Sequence, residues 1–322
     1  MTTSTNGAMP GRQRGGDALT HALTNRKCDA SVRQYVDAAL SDNTLRAYRS
    51  DLKHFLAWGG TIPASPERVA TYIAHHATTL AGTSLSRRLV AIARAHAAQG
   101  FPSPTASPLV RATLRGIRRT SHRPVRQVAP LQKADLVRMV HGLHGLRGLR
   151  DTALLLVGFA SAMRRSELVS LNVEDLQFTD EGTLLRLRRS KTDQEGSGRD
   201  IAIPRLRGRH CPSRCLLAWL EAAGITAGAL FRRVNRYDPV LSHRLTAQSG
   251  ARLIKERAAA AGLDPTRFSG HSLRAGFVTN ATNRGASSSS IRRQTGHTSD
   301  AMLQRYVRNS QLFTDNPNRK IW

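Results

Sequence analysis

Residues 271–306 read HSLRAGFVTNATNRGASSSSIRRQTGHTSDAMLQRY, and this stretch combines a helical pattern with closely spaced His and Arg residues. His271 and Arg274 lie three positions apart, so a helix places both side chains on one face. Ser269-Gly270 provides the start of that helix, and the N-terminus of a helix favours a bound phosphate. The pattern is helical from Pro212 to about residue 309.

The residues before this stretch predict strands as well as helices. An apolar helix is expected over 151–163. Residues 183–188 alternate apolar and basic side chains, which is typical of a strand, and 201–203 are expected to form the partner strand. The loop between the strands has the composition of a hairpin turn. The sequence therefore predicts a mixed domain with a small antiparallel sheet over 131–309.

The first part of the chain predicts an all-α domain. One apolar stripe recurs at steps of three and four residues, at Leu45, Tyr48, Leu52, Phe55 and Leu56. Further helical segments follow Pro66, cover 85–96 and follow Pro108, with no strand signal between them. The fold class is thus mainly α (α+β), divided into a disordered lead-in (1–30), a helical domain (31–120), a linker (121–130), a mixed domain (131–309) and a tail (310–322).

The composition indicates a partner rich in negative charge. The 322 residues include 49 Lys+Arg and 22 Asp+Glu, a formal net charge of +27. Nucleic acid is the obvious polyanion, because each neutralised phosphate releases a counterion. The three cysteines argue against a disulfide framework, and Cys211 and Cys215 beside His210 lack a convincing fourth ligand for zinc. We expect a cytoplasmic protein with no signal peptide, no membrane anchor and no metal.

Cleaving a phosphodiester without a metal needs a defined set of side chains. A nucleophile must be placed in line, the non-bridging oxygens need positive charge, and the leaving 5′-oxygen needs a proton. Two arginines, one or two histidines, a lysine and a tyrosine suffice. His297 lies nine residues before Tyr306, which Arg305 and Arg308 surround.

Four segments resemble the motifs of the tyrosine recombinase (phage integrase) family. Ala162-Met-Arg-Arg-Ser-Glu-Leu168 is similar to its Gly-Leu-Arg-x-Ser-Glu-Leu segment, and His271-Ser-Leu-Arg274 to its His-x-Leu-Arg box. The stretch from Thr295 to Tyr306 resembles its Leu-Gly-His box ending in the nucleophilic tyrosine, and Ser190-Lys-Thr-Asp193 its hairpin lysine. All four occur in the family's order, and the resemblance as a whole covers about residues 41–309.

The resemblance implies a role for each matching residue. Arg164 and Arg274 would contact non-bridging phosphate oxygens, and Tyr306 would be the nucleophile. His271 would assist proton transfer, and His297 would hydrogen-bond either the phosphate or the nucleophile.

Two further residues receive roles with an alternative left open. Lys191 would donate a proton to the 5′-hydroxyl leaving group, and the alternative is a solvated lysine of a turn. Glu167 would orient the site as a supporting residue, and the alternative is an ordinary glutamate on a helix surface. Arg165 occupies the variable position of its motif and receives no role.

The resemblance also implies how such a protein acts. The helical core-binding (SAM-like) domain and the catalytic domain would form a C-shaped clamp on double-stranded DNA. A homotetramer on paired sites would exchange strands through a 3′-phosphotyrosyl link and a Holliday junction, with neither ATP nor metal. Expected phosphate contacts in the first domain, for which solvated surface charge is the alternative, are Arg33, Arg46, Arg49, Lys53, Arg87, Arg88 and Arg94.

Several points stay open at this level. Gly276, Phe277 and Thr295 depart from the family's commoner residues, although none of these positions threatens the chemistry. A type IB topoisomerase-like enzyme and a DNA-binding protein without catalysis are the competing interpretations. The target sequence, the need for accessory proteins, the biological reaction and the docking of the tail on a neighbouring protomer are not specified by the sequence.

Overall fold

The computed structural model describes residues 29, 35, 39–120, 128–188, 190, 198–235, 237, 239–297, 299 and 318–321. Two compact units are distinguished, residues 1–126 and 127–322. Cys28, Arg33, Lys191 and Tyr306 lie outside the described residues, as do most of the expected lead-in, linker and tail.

The described part of the first unit is helical. Its α-helices are α1 (Asp42–Ala57), α2 (Pro66–His75), α3 (Gly82–Ala98) and α4 (Pro108–Thr120). Serine hydroxyls cap α1 and α2, since Ser41 accepts from the backbone N–H of Thr44, and Ser65 from that of Arg68. The buried side chains that hold these helices together include Leu52, Phe55, Val69, Tyr72, Ile73, Leu85, Ile92 and Val110.

The second unit combines helices with short strands. Its α-helices are α5 (Lys133–Val140), α6 (Gly145–Ser161), α7 (Arg165–Ser170), α8 (Pro212–Ala222), α9 (Ala247–Ala260), α10 (Ser272–Asn283), α11 (Ser288–Thr295) and α12 (Asn318–Ile321). Its strands are β1 (Leu176–Phe178), β2 (Gly182–Leu187), β3 (Arg199–Pro204), β4 (Arg232–Val234) and β5 (Val240–Arg244). The mainly helical architecture with small antiparallel sheets is the one that the sequence predicts.

Strands β1, β2 and β3 form an antiparallel sheet in that order. Leu185 of β2 lies opposite Ile201 of β3, and both side chains are buried. The alternation of apolar and basic residues that predicted β2 explains this burial, because residues two apart in a strand lie on the same face.

The antiparallel pair β4–β5 contradicts the prediction that residues 212–309 are helical throughout. Arg232 pairs with Arg244, and the register shifts before Val234 pairs with Val240. Strands of three and five residues with an irregular register leave no alternating pattern in the sequence. The helical period on either side hid the hairpin.

Helix α6 carries the core of the second unit. Most of its side chains are buried, and it packs on α8, α10 and β3. The Asp151 carboxylate, 1% exposed, accepts hydrogen bonds from Arg150 and from Arg257 of α9. This buried pairing fixes the first half of α6 against α9. The C-terminal end of α6 leads into the candidate site.

Candidate active site

Arg164 lies at a sharp turn between two helices. After α6 the chain turns at Ala162, whose φ of +51° is left-handed, and Arg164 then caps α7. The Arg164 backbone N–H donates to Oε2 of Glu167 at 2.8 Å, and its Nη1 donates to Oε1 at 2.7 Å. Glu167 is 5% exposed, so its carboxylate acts within the protein, where it orients the Arg164 guanidinium. The alternative of a surface glutamate does not fit this burial.

Arg274 connects the separate motif segments. It lies on α10 and is 2% exposed. Its Nη1 donates to the carbonyl oxygen of Ala162 at 2.8 Å and to that of Thr295 at 2.7 Å. Burying a guanidinium without hydrogen bonds costs several kcal/mol, roughly, and carbonyl acceptors offset that cost. One side chain thus holds the segments around residues 164 and 297 next to α10.

His271 precedes the helix on which the sequence places it. It is the N-cap residue of α10, with αR backbone angles, and its side chain is exposed. Partial loss of hydration, followed by the positive charges of Arg274 and Arg164, lowers the pKa of His271. His271 therefore lies near Arg274 as the cap of the helix and not as a residue of its interior. The ring still lies within the field of both arginines.

His297 is buried beside the same charges. It follows Gly296, which ends α11 with a left-handed φ of +68°, and it is 7% exposed. Its Nδ1 lies 2.8 Å from Oγ1 of Thr295. Burial lowers the pKa of His297 to about 4, and the neighbouring charges that add to the shift are those of Arg274, Arg164, His271 and Arg199. The imidazole is therefore neutral at neutral pH.

Arg199 belongs to the site although the sequence analysis did not single it out. It is the first residue of β3, and its Nη1 donates to the carbonyl oxygens of Gln294 at 2.9 Å and Arg293 at 3.3 Å. These carbonyls end α11, where positive charge is favourable. Among the described residues, no hydrogen-bond partner for the buried Nη2 of Arg199 is found. The sequence does contain a sign of this role. Arg199 lies two residues before Ile201, so it is on the buried face of the strand, where a charged side chain needs a partner.

The cations predicted to contact DNA from the first unit make several contacts within the protein. Arg87 donates to both carboxylate oxygens of buried Asp51, at 2.6 and 3.0 Å. Arg88 is only 11% exposed and donates to the hydroxyl of Tyr72 at 2.8 Å. Arg46 and Lys53 are exposed on α1, Arg49 is half-buried there, and Arg94 lies 5.7 Å from the ring centroid of Tyr48. The DNA contacts stay predictions, and Arg87 and Arg88 have structural contacts of their own.

The cysteines and histidines of the described part of the chain do not form a metal site. The described residues contain no group of three or more His, Cys, Asp and Glu residues placed to hold a metal ion. Cys211 accepts from the backbone N–H of Leu206, and the Cys215 thiol donates to the carbonyl oxygen of Arg209. None of the described helices is long and apolar enough to cross a membrane.

The assembled side chains suit an anion. Arg164, Arg199, Arg274 and the two histidines share one region, and the carboxylate of Glu167 contacts Arg164 there. Preorganised cations stabilise negative charge that develops on transferring phosphoryl oxygens. The site can therefore hold a phosphate group and support its transfer.

Two family models match the chain. The model described as "Phage integrase family" matches residues 130–312, and the "Phage integrase, N-terminal SAM-like domain" model matches residues 34–98.

Curated relatives match over nearly the whole length. An integrase/recombinase xerD homolog of Selenomonas ruminantium is 37% identical over 309 residues, covering 92% of this chain and 91% of the relative. The recombinase cre of Escherichia phage P1 is 24% identical, covering 84% of this chain and 85% of its own length.

Solved structures share the fold. A lambda integrase fragment (75–356) bound as a dimer to a COC′ core site has a TM-score of 0.60 at 19% identity, covering 83% of this chain and 89% of that one. XerH recombinase in a post-cleavage complex with difH substrate has a TM-score of 0.61 at 15% identity. The match covers 85% of this chain and 78% of that one.

Proposed function

The chain belongs to the phage integrase family of tyrosine recombinases, and we propose that it cleaves and rejoins DNA strands site-specifically, with Tyr306 as the nucleophile. The observation that carries the proposal is the pair of hydrogen bonds from Arg274 to Ala162 and Thr295. They unite three motifs that lie far apart in the sequence, at the place where a phosphate would need positive charge.

The proposed reaction is a transesterification. The phenol oxygen of Tyr306 attacks the phosphorus, the bond to the 5′-oxygen breaks, and a 3′-phosphotyrosyl link forms. Arg164 and Arg274 stabilise the charge on the non-bridging oxygens, while Glu167 keeps Arg164 oriented. The proton that leaves the phenol of Tyr306 is taken up with the assistance of His271, and Lys191 gives the leaving 5′-oxygen its proton. The covalent link retains the energy of the cleaved bond, so rejoining needs neither ATP nor metal.

The proposed substrate is double-stranded DNA with paired target sites. The net charge of +27 supports a polyanionic partner, and the solved XerH and lambda integrase chains of similar fold are complexes with DNA. Strand exchange between two sites would pass through a Holliday junction. That the two units close on the duplex as a clamp stays a prediction.

The proposed assembly is a homotetramer in which the tail of one copy contacts the next. The second unit has an apolar cavity of about 640 Å³, and its lining includes Leu136, Val137, Leu156, Phe159, Phe277 and Ile291. The tail contains Leu312, Phe313 and Trp322, which are large apolar residues that a cavity of this size can accept. We propose the tail of a second copy as the occupant.

The cleavage proposal is tested by trapping a covalent adduct. The purified chain is incubated with nicked DNA from its own flanking genomic sequence in the presence of chelator, denatured with detergent, and assayed for protein-linked DNA. We expect an adduct that Tyr306→Phe abolishes and that the matched control Tyr237→Phe, at a residue 72% exposed, retains. DNA binding without any adduct would support the non-catalytic alternative.

The assembly proposal is tested by measuring the mass of the complexes that the chain forms on DNA with two target sites. We expect the parent chain to form tetramers, and Phe159→Glu to reduce them while single-site binding persists. Tetramers that form equally well with Phe159→Glu would contradict the proposed role of the cavity.

A further inference from the structure

Arg165 directly follows Arg164, yet the two side chains have different surroundings. The Arg164 side chain is 17% exposed and donates to the buried carboxylate of Glu167. Arg165 is the first residue of α7 and is exposed. Among the residues that the structure describes, no hydrogen-bond or ion-pair partner of the Arg165 guanidinium is found. Its donors are therefore available to a bound molecule.

The aliphatic stem of Arg165 lies against two glycines of neighbouring segments. A Cβ atom added at Gly270 would lie 2.5 Å from Cδ of Arg165 and 3.2 Å from its Cβ and Cγ. A Cβ atom added at Gly250, on α9, would lie 3.9 Å from Cγ. The stem therefore occupies space that a larger residue at position 270 would take. This packing removes part of the rotational freedom of an exposed arginine, so less entropy is lost when the guanidinium binds.

The charge of Arg165 extends the positive charge of the candidate site to its rim. Gly270, against which the stem packs, is directly followed by His271. Loss of hydration lowers the pKa of His271, and three arginine charges lower it further, those of Arg274, Arg164 and Arg165. Arg274 is buried, Arg164 is partly exposed and Arg165 is exposed. Positive charge thus continues from the interior of the site to the surface beside His271.

We propose that Arg165 binds a backbone phosphate next to the phosphate that is cleaved, and so aligns the DNA strand across the candidate site. A DNA strand carries one phosphate for about 3.4 Å of helix axis, so a strand with one phosphate on the inner arginines has another close by at the surface. The planar fork of a guanidinium matches two phosphate oxygens. This inference rests on the proposed function, because it takes the cleaved phosphate to lie on Arg164 and Arg274.

The first arm of the test measures the binding of duplex DNA against salt concentration. The probes are a labelled duplex of the chain's own flanking genomic sequence and an unrelated duplex of equal length. Arg165→Met keeps an apolar stem and removes the charge. It should weaken binding of both duplexes about tenfold and reduce the slope of log affinity against log salt by about 0.9. Arg165→Lys keeps the charge and should keep the slope, although it lacks the fork and should bind less tightly than the parent.

The matched control is Arg207→Met, which removes the same charge from an exposed position in the loop after β3. Its slope should equal that of the parent chain. An equal decrease in both methionine variants would show that total charge sets the slope, and this would overturn the proposal. An unchanged slope in Arg165→Met would also overturn it. Weaker binding of the genomic duplex alone would indicate a base contact instead, because phosphate contacts carry no sequence information.

The second arm locates the contacted phosphate after the cleaved bond has been mapped through the adduct. The phosphates on either side of that bond are replaced, one at a time, by uncharged methylphosphonate. At the contacted position this should slow adduct formation by the parent about tenfold and slow Arg165→Met no further, because both changes remove the same interaction. Equal slowing of both proteins at both positions would overturn the assignment. Absence of adduct from the parent would contradict the proposed function, whereas the salt dependence would still decide whether Arg165 contacts phosphate.

Discussion

At the scale of single residues, the candidate site places a neutral imidazole among guanidinium groups. Arg274 stays charged in almost any environment, because a delocalised guanidinium holds its proton very strongly. His297, 7% exposed, instead responds to burial and to the arginines by losing its proton. Arginines and a neutral imidazole therefore lie side by side in the candidate site.

The stability of the chain should fall in acid because of His297. Its pKa of about 4 in the folded state lies below the ordinary 6.5, so the unfolded state binds more protons between these values. Above pH 6.5 the contribution of His297 to the free energy of unfolding is therefore complete. As the pH falls toward 4, this contribution decreases by up to about 3 kcal/mol.

Urea denaturation between pH 4 and pH 7 measures this effect. The variant His297→Asn should lose less stability over the interval than the parent chain does. Parallel pH dependences in the two proteins would show that His297 does not titrate as the site geometry requires.

At the scale of helices and strands, the sequence predicted best those elements that bury one face and expose the other. The apolar stripes of α1 and α3 predicted both helices, and Leu52, Leu85 and Ile92 are buried as expected. Leu56 instead is 38% exposed. The apolar face defined by residue spacing is wider than the part of the helix surface that is buried by packing. The motifs around Arg164, Arg274 and His297 likewise indicated the residues that now lie together.

Features that depend on contacts between distant segments could not be predicted. Arg199 acts on carbonyl groups of α11, almost a hundred residues later, and no local pattern reveals that approach. The β4–β5 hairpin is short and irregular, so the neighbouring helical period concealed it. The cap position of His271 depends on where α10 begins, which sequence patterns define least well.

Gly276 shows how one helix constrains its neighbour. A Cβ atom at this position of α10 would lie 2.2 Å from the carbonyl oxygen of Leu131, whose backbone N–H donates to Ser272. We expect Gly276→Ala to destabilise the chain by about 1–3 kcal/mol, because the incoming segment must move. The departure from the family at this position thus has a packing reason.

Urea denaturation of Gly276→Ala, compared with Gly116→Ala, measures this constraint. Gly116 lies in α4 with no atom within 4 Å of an added Cβ, so its replacement should stabilise by about 0.5–1 kcal/mol. Stabilisation by both substitutions would contradict the close packing of α10 on Leu131.

At the scale of the whole molecule, the charge dominates the interaction with DNA. A protein with a formal charge of +27 should bind duplex DNA mainly through phosphate contacts. With about six to ten such contacts, the affinity should fall by about 10³- to 10⁵-fold between roughly 50 and 200 mM salt. Fluorescence anisotropy with labelled duplex measures this slope, and an affinity nearly independent of salt would contradict the role of the charge.

The central claim is that Tyr306 joins the DNA within the site formed by Arg164, Arg274 and His297. Its most direct test is mass spectrometry of the protease-digested adduct, combined with labelling of the cleaved DNA ends. The account predicts nucleotides on the peptide that contains Tyr306, attached through the 3′-phosphate, with a free 5′-hydroxyl on the other end. Attachment to a different residue, or through the 5′-phosphate, would contradict it.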